Sequence, residues 1–86
     1  MPVISRFFAI VISMYFGDHA PPHLHVGYGE YTASVTLTTM QILEGRIPQR
    51  VYAMVLEWMA MHRSELWTNW QRAQDGLRLN PVEPLE

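Results

Sequence analysis

Hydrophobic residues follow two rhythms along this 86-residue chain, a short period in the first half and a longer one in the second. From Phe7 to Tyr15 every position but Ser13 is apolar, with Phe8, Ile10, Ile12 and Met14 alternating against Phe7, Ala9, Val11 and Tyr15. A run this short with both alternating sets hydrophobic predicts a strand covered on both sides and central in a sheet. Pro21-Pro22 cannot donate to a ladder, so it predicts a stiff, extended break. A second strand is expected from about His23 to Tyr28, followed by the turn residues Gly27-Tyr28-Gly29-Glu30. Tyr31 to Thr38 alternates cleanly. Tyr31, Ala33, Val35 and Leu37 make a core face, and Thr32, Ser34, Thr36 and Thr38 make a wet one. A short fourth strand is expected at Gln41 to Glu44, ending at Gly45.

After Pro48, which suits the first turn of a helix because its missing N–H does no harm there, the period lengthens. Val51, Val55, Trp58, His62 and Leu66 recur at spacings of three and four, the mark of one helical face. That helix either runs unbroken to Asp75 or bends at Arg63-Ser64, where Ser64 would cap a second helix. Gly76 closes it. The tail from Asn80 to Leu85 is expected to be extended and packed through Val82 and Leu85. The order predicts a single α+β domain: a small antiparallel sheet of three to four strands over about residues 3–45, then one long or two consecutive helices packed on one face over about 48–75, and an extended tail over 77–86.

Composition narrows the classes. With 49% hydrophobic residues the chain can build a core despite its small size, and with no cysteine it has neither disulfides nor thiolate metal ligands. A cytoplasmic location fits. The run from Phe7 to Phe16 is well short of the roughly 18 apolar residues of a membrane-spanning helix, and Gly17-Asp18-His19 follows it in place of a cleavage site for a secretory leader. No membrane role is expected. The net charge of −2, with six arginines and no lysine, gives no general reason to bind a polyanion, so generic DNA binding is disfavoured. A local patch around Arg46 and Arg50 stays open beside the plainer reading of a solvated surface.

The densest chemistry lies in Asp18-His19-Ala20-Pro21-Pro22-His23-Leu24-His25, which holds three of the four histidines. Histidine serves near neutral pH as acid, base or metal ligand. His23 and His25 are two apart, so on a strand they share a face, and a helix on that face would bring His62 to them. With Asp18 or Glu65 the three imidazoles would make a nitrogen and oxygen site for zinc or a related divalent metal. A metal-free version uses one histidine as base and another as acid in phosphodiester cleavage, with an arginine stabilising charge on phosphate. Glu65, three residues after His62, would orient its imidazole. The plain alternative makes His23 and His25 hydrogen-bonded strand residues, His62 a satisfied core histidine and Asp18 a turn cap. The candidate acid–base residues are therefore Asp18, His19, His23, His25, His62 and Glu65, the candidate metal ligands His23, His25 and His62, and the candidate binding residues Tyr28, Trp58, Arg46 and Arg50.

Three blocks of sequence point to a family. The opening Met1-Pro2 with Ile4-Ser5-Arg6-Phe7, the stretch from Met14-Tyr15 through Asp18-His19, Pro21-Pro22-His23 and His25-Val26, and Glu57-Trp58 with His62, Glu65-Leu66 and Asn69-Trp70 resemble the small bacterial family called domain of unknown function 4160. The resemblance covers almost the whole chain in order. It implies a toxin component of a two-gene toxin-antitoxin module, accompanied by a small antitoxin from another family of unknown function, numbered 2442, and it carries over no catalytic residue.

Three functions follow as expectations. The first is a cytoplasmic toxin, held in check by a cognate antitoxin protein, with a histidine-rich site and RNA as a target. The second is a noncatalytic protein-binding module that docks a partner through Thr32, Thr36 and Thr38 or through an exposed tryptophan, its histidines being structural. The third is a metal-dependent hydrolase.

Overall fold

The computed structural model describes residues 2–86. Five strands, β1 (Val3–Phe7), β2 (Ile10–Ser13), β3 (His23–Tyr28), β4 (Tyr31–Thr36) and β5 (Ile42–Arg46), precede two helices, α1 (Gln49–Met61) and α2 (Arg63–Gln74). The strands form one antiparallel sheet in sequence order, so β3 is the middle strand. The α+β class is as expected. The strand count is five because the first apolar run is not one central strand but the inner part of a hairpin.

Phe8 and Ala9 form its two-residue turn with φ of 51° and 64°. Hairpin turns with both central residues left-handed match the twist of the flanking strands, and they ordinarily use Asn or Gly. Neither residue type stands here, so the turn is silent in the sequence. Phe8 and Ala9 are exposed, whereas Ile10, Ile12 and Met14 are buried in the core. The predicted second cover is also missing, since β1 is an edge strand and Val11 on the opposite side is only half-buried.

The helices cover one side of the sheet. Val51, Val55, Trp58 and Met59 of α1 and Leu66 and Trp70 of α2 pack with Ile10, Ile12, Leu24, Val26 and Val35 into a single core. The helical stripe breaks at His62, whose φ of −127° leaves the helix, one residue before the predicted bend; Ser64 lies inside α2 and does not cap it. The tail packs as expected through Val82 and Leu85. The Trp58 indole N–H donates to the Glu83 carbonyl at 2.8 Å, and the fully buried Asn69 side chain both donates to and accepts from the Asn80 backbone, each at 2.8 Å. Val82 N–H donates to the Ile4 carbonyl, which binds the tail to the edge of β1.

On β4 the split into a core and a wet face is modified in three places. Tyr31 is exposed, while Ser34 and Thr36 are buried. Thr36 is closed in by its own hydrogen bonds, with its hydroxyl 2.8 Å from that of Thr39 and accepting from the Gln41 N–H. The last strand runs past its expected end because a bulge at Leu43 shifts the register. Gly45 makes that passage feasible, since at φ 76° a Cβ would stand 2.2 Å from the Thr32 carbonyl oxygen.

Left-handed backbone costs most residues with a Cβ about 1–2 kcal/mol, a cost glycine avoids and asparagine offsets through local hydrogen bonds of its side chain. Replacing the turn with Phe8→Asn and Ala9→Gly is therefore expected to stabilise the protein by about 1–2 kcal/mol. Chemical denaturation checks this, and an unchanged or lowered midpoint would show that the turn is not where the chain stores strain.

Candidate metal centre on the uncovered face of the sheet

Alternation along β3 builds the site. Leu24 and Val26 point into the core, so His23 and His25 point to the other face. Cross-strand register sets Val3, Ser13, His25, Ser34 and Glu44 in one row across the sheet, beside a row of Arg6, Val11, Gly27, Thr32 and Arg46. Small side chains in the middle of these rows leave a groove of 550 Å³, whose lining includes Arg6, Ser13, Tyr15, His25, Ser34 and Glu44. That volume lies in the usual range for small-ligand sites.

The loop between β2 and β3 delivers the carboxylate. Its start is held by α2, since Gly17 N–H donates to the Ala73 carbonyl at 3.2 Å and the Gln74 side-chain amide donates to the Asp18 carbonyl at 2.9 Å. Its end is held just beyond β4, where Leu37 N–H donates to the Pro22 carbonyl at 2.9 Å. Asp18 Oδ2 then lies 3.0 Å from both His23 Nε2 and His25 Nε2. Oδ1 accepts from the His19 backbone N–H at 3.0 Å.

The surroundings grade from closed to open. The His23 side chain is 3% exposed, beneath the Trp70 ring at 5.4 Å, and its Nδ1–H donates to the Pro21 carbonyl at 2.6 Å. His25 is 30% exposed and meets the ring of Tyr15 edge-on at 4.4 Å. The donor atoms of Asp18, His23 and His25 all lie within 4.8 Å of one another, so the three form a group able to hold a metal ion.

Burial pushes the Asp18 carboxyl pKa up, but other forces outweigh it: the hydrogen bond from His25, the His19 N–H, and the positive charge of His23 and His25 when protonated. The net result is a pKa below the ordinary carboxylate value. Asp18 is therefore an anion at neutral pH.

The other sequence candidates are placed as follows. His19 is 88% exposed, with Nδ1 3.2 Å from Asp18 Oδ1. His62 does not join His23 and His25, because its Nδ1 lies 2.6 Å from Glu65 Oε1 and its ring packs against Trp58 at the junction of the helices. The expected convergence of three imidazoles fails for a geometric reason: β3 turns Leu24 and Val26 toward the α1 stripe, and the α2 residue that reaches His23 is Trp70. Glu65 orients His62 as predicted, but away from the cluster. Trp58 is fully buried in the core and offers no binding surface. Arg50 donates to the Tyr28 hydroxyl at 3.1 Å, which ties α1 to β3, and Arg46 lies 5.9 Å over the Tyr31 ring. The sequence reading missed Trp70 as the wall behind His23, the Pro21 carbonyl that orients it, and Ser13 and Ser34 beside His25. Ser13 alone left a trace, as the polar break in an apolar run.

The sequence model of a domain of unknown function, DUF4160, matches residues 9–71. The chain belongs to the DUF4160 family. The match contains the whole Asp18 to His25 segment and Trp70, and it excludes the Met1 to Phe7 block. No curated protein and no solved structure matches the chain. Among the described residues of this DUF4160 domain, no helix is long and apolar enough to cross a membrane.

A folded-state pKa below the unfolded one stabilises the fold above the unfolded value, and the stabilisation is lost as pH falls through the folded value. Stability of the wild type should therefore drop on acidification below about pH 4 more steeply than that of Asp18→Asn. Thermal melts between neutral and acid pH measure this, and parallel curves would mean that Asp18 gains nothing from its neighbours.

Proposed function

We propose that this protein is a metal-dependent hydrolase, with Asp18, His23 and His25 as the ligands of a divalent ion such as zinc and the adjoining groove as the substrate site. One observation carries the reading. Because His23 Nδ1–H is committed to the Pro21 carbonyl, a neutral His23 turns the lone pair of Nε2 toward an anionic carboxylate oxygen 3.0 Å away. Two electron-rich atoms at that distance need a cation between them or a proton on the ring. A histidine whose second nitrogen donates to a backbone carbonyl, as His23 does, is the usual form of a metal-ligating imidazole. Donors bonded to zinc at about 2.0–2.1 Å stand about 3.3 Å apart in a tetrahedral site, close to the 3.0 Å that separates Asp18 Oδ2 from each imidazole Nε2. Two imidazoles and a carboxylate leave a position for water, whose pKa the ion lowers to about 7.

The substrate proposed is RNA. Arg6 and Arg46 end one row of the uncovered face at opposite edges of the sheet, in position to meet phosphates. The biological role proposed is that of a cytoplasmic toxin, with a small antitoxin protein that covers the groove; the sequence resemblance supports this part.

Protein purified without a polyhistidine tag is expected to take up one zinc per chain, measured by titration and elemental analysis. His23→Ala and Asp18→Ala should abolish the uptake, and His62→Ala should leave it unchanged. A wild type that takes up no metal would end the metal reading. Expression without the antitoxin is expected to slow growth, and His25→Ala to relieve it. Equal slowing by both would sink the role of the site, and no slowing by either would sink the toxin role.

A further inference from the structure

We propose that His19 is a third imidazole ligand that swings onto an ion held by Asp18, His23 and His25, so that the resting centre has four protein ligands. This rests on the metal centre proposed above and adds the residue that completes its shell.

The first support is position. His19 Nδ1 already lies 3.2 Å from Asp18 Oδ1, and its ring lies 5.9 Å from that of His23. The carboxylate thus has one oxygen toward His23 and His25 and the other toward His19, and a rotation of the His19 side chain would bring this third ring onto an ion bound to Asp18. The second is freedom. With 88% of its side chain exposed, the His19 ring has little packing beyond its contacts with Asp18 and His23 to hold it in one rotamer. The backbone beside it is fixed, because Gly17 and Asp18 are hydrogen-bonded to the end of α2 and Pro22 to Leu37. An anchored backbone with a free ring keeps the ligand close at little entropic cost.

The third is the gradient of exposure from His23 at 3% through His25 at 30% to His19 at 88%. An ion arriving from solvent meets His19 first. Four protein ligands make a closed, structural type of site, and three make an open one with room for water. His19 therefore sets which of the two this centre is, and a substrate entering the groove would open it by displacing a single exposed side chain.

The test uses the full untagged chain and zinc alone, with wild type, His19→Ala and His23→Ala. X-ray absorption at the zinc edge is expected to count three imidazoles in the wild type and two in His19→Ala. Competition with a chromogenic chelator should show the latter binding zinc more weakly by about tenfold or more. Because His19 is exposed, His19→Ala should melt with the wild type when metal-free. Two imidazoles and equal affinity in both proteins, with zinc lost in His23→Ala, would overturn the role of His19 and leave the metal centre standing. A wild type without zinc would overturn both.

Discussion

Leu24 and Val26 fasten β3 to the helices, and the pleat that sends them down sends His23 and His25 up. Everything distinctive about the molecule follows from this two-sidedness of the middle strand. One face acquires a core of aliphatic residues and tryptophan. The other keeps its small and polar residues, stays uncovered and becomes a groove. A shift of one residue in the register of β3 would turn both imidazoles into the aliphatic core and Leu24 and Val26 out of it, so the core holds the site in place as firmly as it holds the fold.

The second device is the loop that brings Asp18 to the histidines. Beyond Met14, which is buried in the core, its placement comes from hydrogen bonds to Ala73 and Gln74 on one side and to Leu37 on the other. Polar contacts of this kind suit a site better than apolar ones, because they fix direction as well as distance. The carboxylate arrives with one oxygen toward two ring nitrogens, and the Pro21 carbonyl decides which nitrogen of His23 it meets.

Much of this was legible in the sequence, with gaps that have physical causes. The strand His23–Tyr28 appears at its expected bounds because Pro21-Pro22 and Gly29 mark its ends. The pairing of His23 with His25 needed only the period of a strand. The Phe8-Ala9 turn was hidden because its residues are not those its backbone prefers, and so a hairpin read as one strand. His62 was assigned to the wrong cluster because periodicity shows which residues share a helical face but not which face of the sheet that helix covers. Trp70 could not be assigned to His23 at all, since that contact depends on the angle at which α2 leaves the break at His62.

The hydrogen bond from Gln74 to Asp18 spans 56 positions of sequence. It places the formation of the cluster late in the history of each molecule. His23 and His25 leave the ribosome early, and their strand can pair with its neighbours as soon as β4 follows. The carboxylate lacks its anchors to Ala73 and Gln74 until α2 exists, and α2 is itself bound to the tail through Asn69 and Asn80. A nascent chain thus carries imidazoles without an assembled site, and whatever this centre does to its surroundings begins only after synthesis has passed the last helix.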